Sequence, residues 1–268
     1  MRVAVKDSRL VADWKTGVVA SGAKPFRTSA LLPKLRVVWN GNPFCEPGSV
    51  LYLPGHPGTG ASIFDFSGQG NTGTIYGATW TRLPSGLWCL SFDGVDDYVS
   101  ITEVSGLAFT NASDFSILAW VNKGDSSRGI IIGDYLSGAV GTISLEVFTD
   151  GIIRTYLQTT DAYVKDYRSG GAVTYGRFSL VGSTYAGATQ TIHIYIDTVD
   201  QDLTKTRDET LNGSLRSGSG FKIGKDNRPD PSAIWFDGLI GELTIYNRVL
   251  SALEIANHFN RERHLFGV

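Results

Sequence analysis

The chain is poor in cysteine, with only Cys45 and Cys89 in 268 residues. Two cysteines make no disulfide framework, and their separation is not that of metal ligands, leaving two unpaired thiols or one incidental bridge. Charge of one sign is equally scarce: 24 basic residues stand against 26 acidic ones, with no long run of either. A nucleic-acid groove normally leaves a basic stripe, so that partner is excluded. No run of about 18 apolar residues occurs, so no helix of that kind spans a membrane. The first ten residues, Met1 to Leu10, carry no apolar core and no small-residue cleavage site. That gives the expectation of a chain made in the cytoplasm without Sec-type export.

Recognisable catalytic motifs are missing too. There is no Gly-x-Ser-x-Gly elbow and no Walker loop, and Gly68-Gln69-Gly70 is too short for a dinucleotide fingerprint. A glycan hydrolase on a β-sandwich needs two carboxylates about 5–10 Å apart across a concave sheet. No strand-borne set of that type is present: Glu146 stands alone, and Asp96-Asp97 sit by a turn. His56, His193, His258 and His264 are scattered, as structural histidines are. The expectation is a protein that binds and does not catalyse.

Glycine and aromatics, by contrast, are plentiful: 32 Gly, 13 Phe, 11 Tyr and 6 Trp. Short strands joined by tight turns account for that composition. Residues 1–48 read as a separate basic arm, interrupted by Pro25, Pro33, Pro43 and Pro47. Termini of this kind stay mobile unless tied down, so the arm is expected to dock on the domain or on a neighbouring subunit, the latter preferred. Residues 49–268 form the globular domain. Strands are expected at Val50–Leu53, Thr74–Trp80, Leu87–Phe92, Phe115–Val121, Gly129–Gly133, Thr142–Phe148, Ile152–Gln158, Ala172–Tyr185, Thr191–Asp197 and Phe221–Lys225. Asp93-Gly94 and Asp150-Gly151 read as hairpin turns.

The last strand organises the chain. From Leu239 onward, Leu239, Gly241, Leu243 and Ile245 share one parity, and Glu242, Thr244 and Tyr246 the other. At Ser251 the period changes: Ser251-x-x-Glu254 is a capping box, and Leu253, Ile255, Ala256 and Phe259 make one apolar helix face. About a dozen strands and one short C-terminal helix mean an all-β fold of two packed antiparallel sheets.

Four motifs occur in order. They are Asp65-x-Ser67-Gly68-x-Gly70-Asn71-x-Gly73-Thr74-x-x-Gly77-Ala78-x-Trp80, Phe92-Asp-Gly-Val-Asp-Asp-Tyr-Val99, Phe115-Ser-Ile-x-Ala-Trp-Val121, and a closing run from Phe236 to Ile255. Together they resemble laminin-G-like domains of the concanavalin A-like lectin/glucanase superfamily, over about residues 50 to 260. The resemblance implies a jelly-roll sandwich with one concave face, used mostly to bind glycans or proteins and less often within a carbohydrate-active enzyme. Many relatives hold a structural calcium, which implies a Ca2+ ligand set of Asp65, Asn71 and Glu242, with the alternative that Asp65 and Asn71 make only turn hydrogen bonds. The family commonly has Asp-Glu where this chain has Gly241-Glu242, one carboxylate fewer.

Candidate ligand-binding residues, chosen as exposed aromatic or polar groups, are Trp235, Tyr163, Tyr167, Arg168, Asp226 and Asn227. The functional expectation is a lectin-like structural protein, oligomeric or assembly-bound through its arm, as a virion head-decoration, tail or fibre component would be. The alternative is a carbohydrate-binding module for a surface glycan.

Overall fold

The computed structural model describes residues 46–102, 106–134, 141–215, 220–228 and 233–268, and two short strands before them. Residues Met1–Val38 and Trp39–Val268 are separate compact units. In the first, β1 (Val3–Ala4) pairs antiparallel with β2 (Val11–Ala12). The rest of the arm, and with it the expected docking contacts, lies outside the described residues.

The second unit is a sandwich. Its strands are β3 (Ser49–Leu53), β4 (Ser62–Ile63), β5 (Gly73–Tyr76), β6 (Thr79–Arg82), β7 (Trp88–Asp93), β8 (Tyr98–Ile101), β9 (Phe115–Lys123), β10 (Gly129–Gly133) and β11 (Thr142–Val147). There follow β12 (Ile152–Gln158), β13 (Val164–Ala172), β14 (Ser179–Ala186), β15 (Thr191–Ile196), β16 (Val199–Asp200), β17 (Leu203–Asp208), β18 (Phe221–Ile223), β19 (Asp237–Tyr246) and the helix α1 (Ala252–Glu262). One sheet has nine strands in the order β17-β13-β12-β11-β10-β18-β8-β5-β4. The other runs β16-β15-β14-β9-β19-β7-β6, with β3 beside β7 on the same edge of β19. Ile143, Leu145, Val147, Ile153 and Leu157 of the first sheet meet Ile117, Ala119, Val121, Val181 and Ile194 of the second in one buried core.

Several boundaries differ from the periodicity reading, each because the chain changes sheet. Thr74–Trp80 is two strands, since Gly77, with φ +75°, turns the chain from the nine-stranded sheet to the eight-stranded one. Asp93-Gly94 is likewise a crossover and not a hairpin turn, because β7 and β8 belong to different sheets. Asp93 Oδ1 accepts the Val95 and Asp96 amides and closes that corner. The stretch 172–185 divides into the end of β13 and β14. Asp150-Gly151 is a hairpin turn between β11 and β12, with Gly151 at φ +80°.

β19 departs from strict alternation. Ile240 pairs with Val121 and Leu243 with Ala119, so three steps on β19 match two on β9, a bulge. The extra residue moves Ile240, Leu243 and Ile245 to the core. Leu239 and Tyr246 pack on the opposite, outer side. Gly241 also faces outward, where a Cβ would come 2.4 Å from Phe266 Cε1. That side is not solvated, because α1 and the chain end cover it. Ser251 caps α1 through the expected box with Glu254, but Leu253 is 70% exposed while Ile255, His258 and Glu262 are buried.

Candidate ligand-binding face

Of the two outer faces of the sandwich, the one on the eight-stranded sheet is occupied. Trp120 on β9 stacks on Phe266 at 4.4 Å and on Phe259 at 5.4 Å. Leu118, Leu180, Tyr195 and Tyr246 complete that apolar cluster with Ile255 of α1. Beneath it lies a buried polar group. His258 Nε2 is 3.0 Å from Glu242 Oε1 and 2.9 Å from Glu262 Oε2. Trp120 Nε1 donates to Glu262 Oε2 (3.0 Å), and Tyr52 Oη donates to Glu242 Oε2 (3.3 Å). Burial opposes a charged His258, but the two carboxylates outweigh it and raise its pKa to about 10. Arg261 Nη2, 3.1 Å from Nδ1, is the neighbour that resists this imidazolium. Burial and the facing Glu262 push Glu242 up. At Glu262 burial works the same way, yet His258 and Arg261 prevail and hold it down. His258 thus ties α1 to β19 through the Glu242 carboxylate.

The outer face of the nine-stranded sheet carries the polar parity of its strands. Cross-strand register aligns Thr74, Ser100, Lys222, Gly133, Ser144, Tyr156 and Asp166 in one row. At one end of this row is an aromatic platform. Tyr76 and Tyr98 stack with centroids 4.6 Å apart and planes 10° from parallel, and Trp235 lies 6.3 Å from Tyr98. Lys222 Nζ sits 4.2 Å above the Tyr98 ring, and Lys225 Nζ is 4.0 Å from the Trp235 ring. Burial and the neighbouring Lys225 lower the Lys222 pKa.

Further along the face, Arg128, Glu146, Arg154, Tyr156, Asp226 and Arg228 line a cavity of about 220 Å³. Arg154 bonds Asp166 twice, through Nε and Nη2 at 2.7 Å each, and reaches Glu146 Oε1 at 3.3 Å. Arg128 holds Glu146 Oε2 through Nε (2.9 Å) and Nη2 (2.6 Å). Burial alone would lower the Arg154 pKa, but its bonds to Asp166 and Glu146 raise it. Arg168 and Arg128 stack on Phe148 at 4.4 and 4.7 Å. The cavity thus offers fixed guanidinium donors and carboxylate acceptors side by side.

Among the candidate ligand-binding residues, Trp235, Arg168 and Asp226 belong to this face. Asp226 is nevertheless buried, 1% exposed, and bound by Arg228 Nε at 2.6 Å. Asn227 Nδ2 donates to the Gly220 carbonyl (3.2 Å). Tyr163 is exposed in the turn between β12 and β13. Tyr167, expected to be exposed, is 3% exposed, because β13 alternates and turns it to the core side. Its hydroxyl donates to Asp208, beside a second, open cleft of about 410 Å³ that includes His193 and Asp200. Sequence reasoning missed Tyr76, Tyr98, Lys222, Arg154 and Tyr156. Strand parity in Ile152–Gln158 already set Arg154 and Tyr156 on one side.

The calcium set does not come together. Asp65 Oδ1 accepts the Tyr52 and Ser67 amides, and Oδ2 accepts Ser67 Oγ and the Asn71 amide, all within 2.9 Å. Asn71 Nδ2 donates to the Val50 carbonyl at 2.7 Å, and Glu242 faces His258. A carboxylate ringed by four donors offers no open oxygen to a cation, so Asp65 does not fit as a Ca2+ ligand.

A profile of the Laminin_G_3 family, concanavalin A-like lectin/glucanases superfamily, matches residues 93–256. The chain belongs to this family. No curated protein matches it. Among solved structures it is similar to the binding domain of Paraclostridial Mosquitocidal Protein 1, with 13% identity and TM-score 0.62, covering 80% of this chain and 52% of that one. It is also similar to a mutant of Trypanosoma rangeli sialidase displaying trans-sialidase activity, with 19% identity, TM-score 0.57 and coverage of 82% and 34%. A third is botulinum neurotoxin type C, whose cell entry depends on interaction with two ganglioside molecules, with 17% identity, TM-score 0.57 and coverage of 80% and 51%. The chain spans about half or less of each, and at these identities the likeness is one of fold. Among the described residues no helix is long and apolar enough to cross a membrane.

Proposed function

We propose that this laminin-G-like sandwich is a non-catalytic recognition module that binds a glycan on the outer face of its nine-stranded sheet. The carrying observation is the row that joins the stacked Tyr76–Tyr98 pair to the Arg154–Tyr156 cavity. Aromatic faces receive the C–H side of a pyranose, and paired guanidinium and carboxylate groups suit vicinal hydroxyls. Four strand steps separate Ser100 from Tyr156, about 19 Å at ~4.8 Å per step, which suits an oligosaccharide better than a single ring. The ganglioside dependence of the type C neurotoxin is in keeping with this use of the fold.

Support for the absence of catalysis comes from the carboxylates themselves. Glu146 is held by Arg128, Arg154 and Ser144 Oγ, and Asp166 by Arg154. A general acid must present its carboxyl to the glycosidic oxygen, and the oxygens of these two carboxylates are already engaged by guanidinium and hydroxyl donors. A glycan array followed by calorimetry tests the reading. Binding that Tyr98→Ala abolishes supports it; no glycan bound at millimolar concentration removes it.

The assembly reading rests on the basic, proline-broken segment 1–48, which precedes the matched family region. A virion or other particle would be its partner, with the sandwich displayed outward. Loss of particle binding when residues 1–40 are deleted is its expected outcome, and unchanged assembly would refute it.

A further inference from the structure

The aromatic rungs of the open face stop one strand short of the sheet's edge. Tyr98 on β8 and Tyr76 on β5 are register partners, with centroids 4.6 Å apart and planes 10° from parallel. That spacing is close to the distance between neighbouring strands, so the stack runs across the strands. Both faces of Tyr98 are covered, one by Tyr76 and one by the Lys222 ammonium. Tyr76, 47% exposed, bears no other ring or cation among the described residues, and its far face looks toward the edge strand β4. There the next rung is a glycine. Ser62 pairs with Thr74, and the Ile75 amide donates to the Ala61 carbonyl (2.9 Å), which sets Gly60 opposite Tyr76. Gly60 has φ +80°, and no atom lies within 4 Å of the position a Cβ would take. The backbone angle accounts for the glycine; the open space beside it is a separate fact. Trp80 Nε1 donates to the Gly60 carbonyl (2.9 Å) and fixes the floor of this gap.

We propose that the gap over Gly60, against the far face of Tyr76, is a stacking subsite in which one pyranose of the glycan becomes the next rung. This rests on the glycan reading and gives its stacked ring a position. The ring stands upright on the sheet, as the tyrosines do, with a face of C–H groups against Tyr76 and an edge of hydroxyls toward the backbone. It must therefore carry no axial hydroxyl on the face it stacks. Ser62, Thr74 and Ser100 align beside the rungs and make no side-chain hydrogen bonds among the described residues. Their hydroxyls meet the equatorial groups of the sugar and begin the row that leads to the Arg154–Tyr156 cavity.

Tyr98 is then a positioning residue: it holds the plane of Tyr76 and does not touch the sugar. Glycine serves at position 60 on two counts, its backbone angle and the room it leaves. An aromatic side chain of a partner protein is the other flat group that could stack there. It is disfavoured because it would cover the Ser62 and Thr74 hydroxyls without offering them hydrogen-bond partners, and buried polar groups left unpaired cost binding energy.

The test uses the full chain with cellotetraose, xylotetraose and mannotetraose, each of which offers at least one such face. In the native protein, saturation-transfer NMR on the tightest-binding probe should mark the axial hydrogens of one ring face above all others. Tyr76→Ala and Gly60→Asn should each weaken its binding tenfold or more, and Tyr76→Phe should leave it within about twofold. Asparagine adopts positive φ more readily than most side chains, so Gly60→Asn fills the gap while keeping the corner, which an unchanged melting temperature checks. Gly176→Asn is the matched control: that glycine has φ +75° and open space in the turn before β14, and its substitution should not change affinity. Affinity unaffected by either Tyr76→Ala or Gly60→Asn overturns the inference, and if Tyr98→Ala still abolishes binding the glycan reading stands. If none of the three probes binds, the inference falls, and the glycan reading falls with it only when the glycan array is empty too. Displacement of the probe by N-acetylphenylalanine amide, at lower concentration than the probe itself, assigns the gap to an aromatic side chain and overturns the inference as well.

Discussion

Trp120 Nε1 donates to Glu262 Oε2 across 3.0 Å, joining the central strand of the eight-stranded sheet to the last turn of the C-terminal helix. The same oxygen lies 2.9 Å from His258 Nε2, so one carboxylate serves the indole of the sheet and the imidazole of the helix. Strand and helix are held together by a polar group sealed within an apolar cover.

Stability should therefore decline on the alkaline side. His258 has a folded pKa raised to about 10 from an ordinary 6.5. Its contribution is complete below about 6.5 and is lost as pH rises through about 10. Melting temperature should fall over that interval in the native chain and fall less steeply in His258→Gln. Equal slopes in the two proteins would show that the imidazolium contributes nothing.

Arg154→Met leaves the buried Glu146 and Asp166 short of their shared partner. The expected loss is about 3 kcal/mol, as for one member of a buried ion pair. Adding Asp166→Leu to that variant should recover part of it, and urea denaturation of both proteins decides the matter.

Gly241→Asp restores the carboxylate that relatives commonly carry, but here its Cβ would lie 2.4 Å from the Phe266 ring and 3.4 Å from Cys89 Sγ. Overpacking and a new charge beside Glu242 should destabilise the chain by about 2 kcal/mol. A melting temperature equal to the parent's would contradict the packing described.

EDTA should leave the melting temperature unchanged, since the Asp65 carboxylate is already satisfied by four donors. Asp65→Ala, by contrast, releases the Tyr52, Ser67 and Asn71 amides and should cost about 2 kcal/mol. A chelator-sensitive transition would reinstate a metal in that loop.

The sandwich was legible because its inner faces alternate plainly, as in Ile152–Gln158 with every second residue buried. Sheet membership was not, because Gly77 and Gly94 look like any hairpin turn until their flanking strands are seen to diverge. The bulge in β19 was equally hidden: one inserted residue changes the parity of Ile240 without any mark in composition. The face of the site suffered from a related difficulty. Trp235 was found from its loop, yet Tyr76, Tyr98 and Lys222 come from three strands far apart in sequence and meet only through register. Tyr167 failed for the opposite reason, since a polar neighbourhood in sequence says nothing about which way a strand residue points.

The packing of α1 also decides how the molecule can be held. Val268 sits in the apolar cover of the eight-stranded sheet, on the reverse of the platform and cavity. A tag, surface or fusion partner attached at that terminus is carried on the eight-stranded side, so an immobilised sandwich turns the outer face of its nine-stranded sheet away from the support.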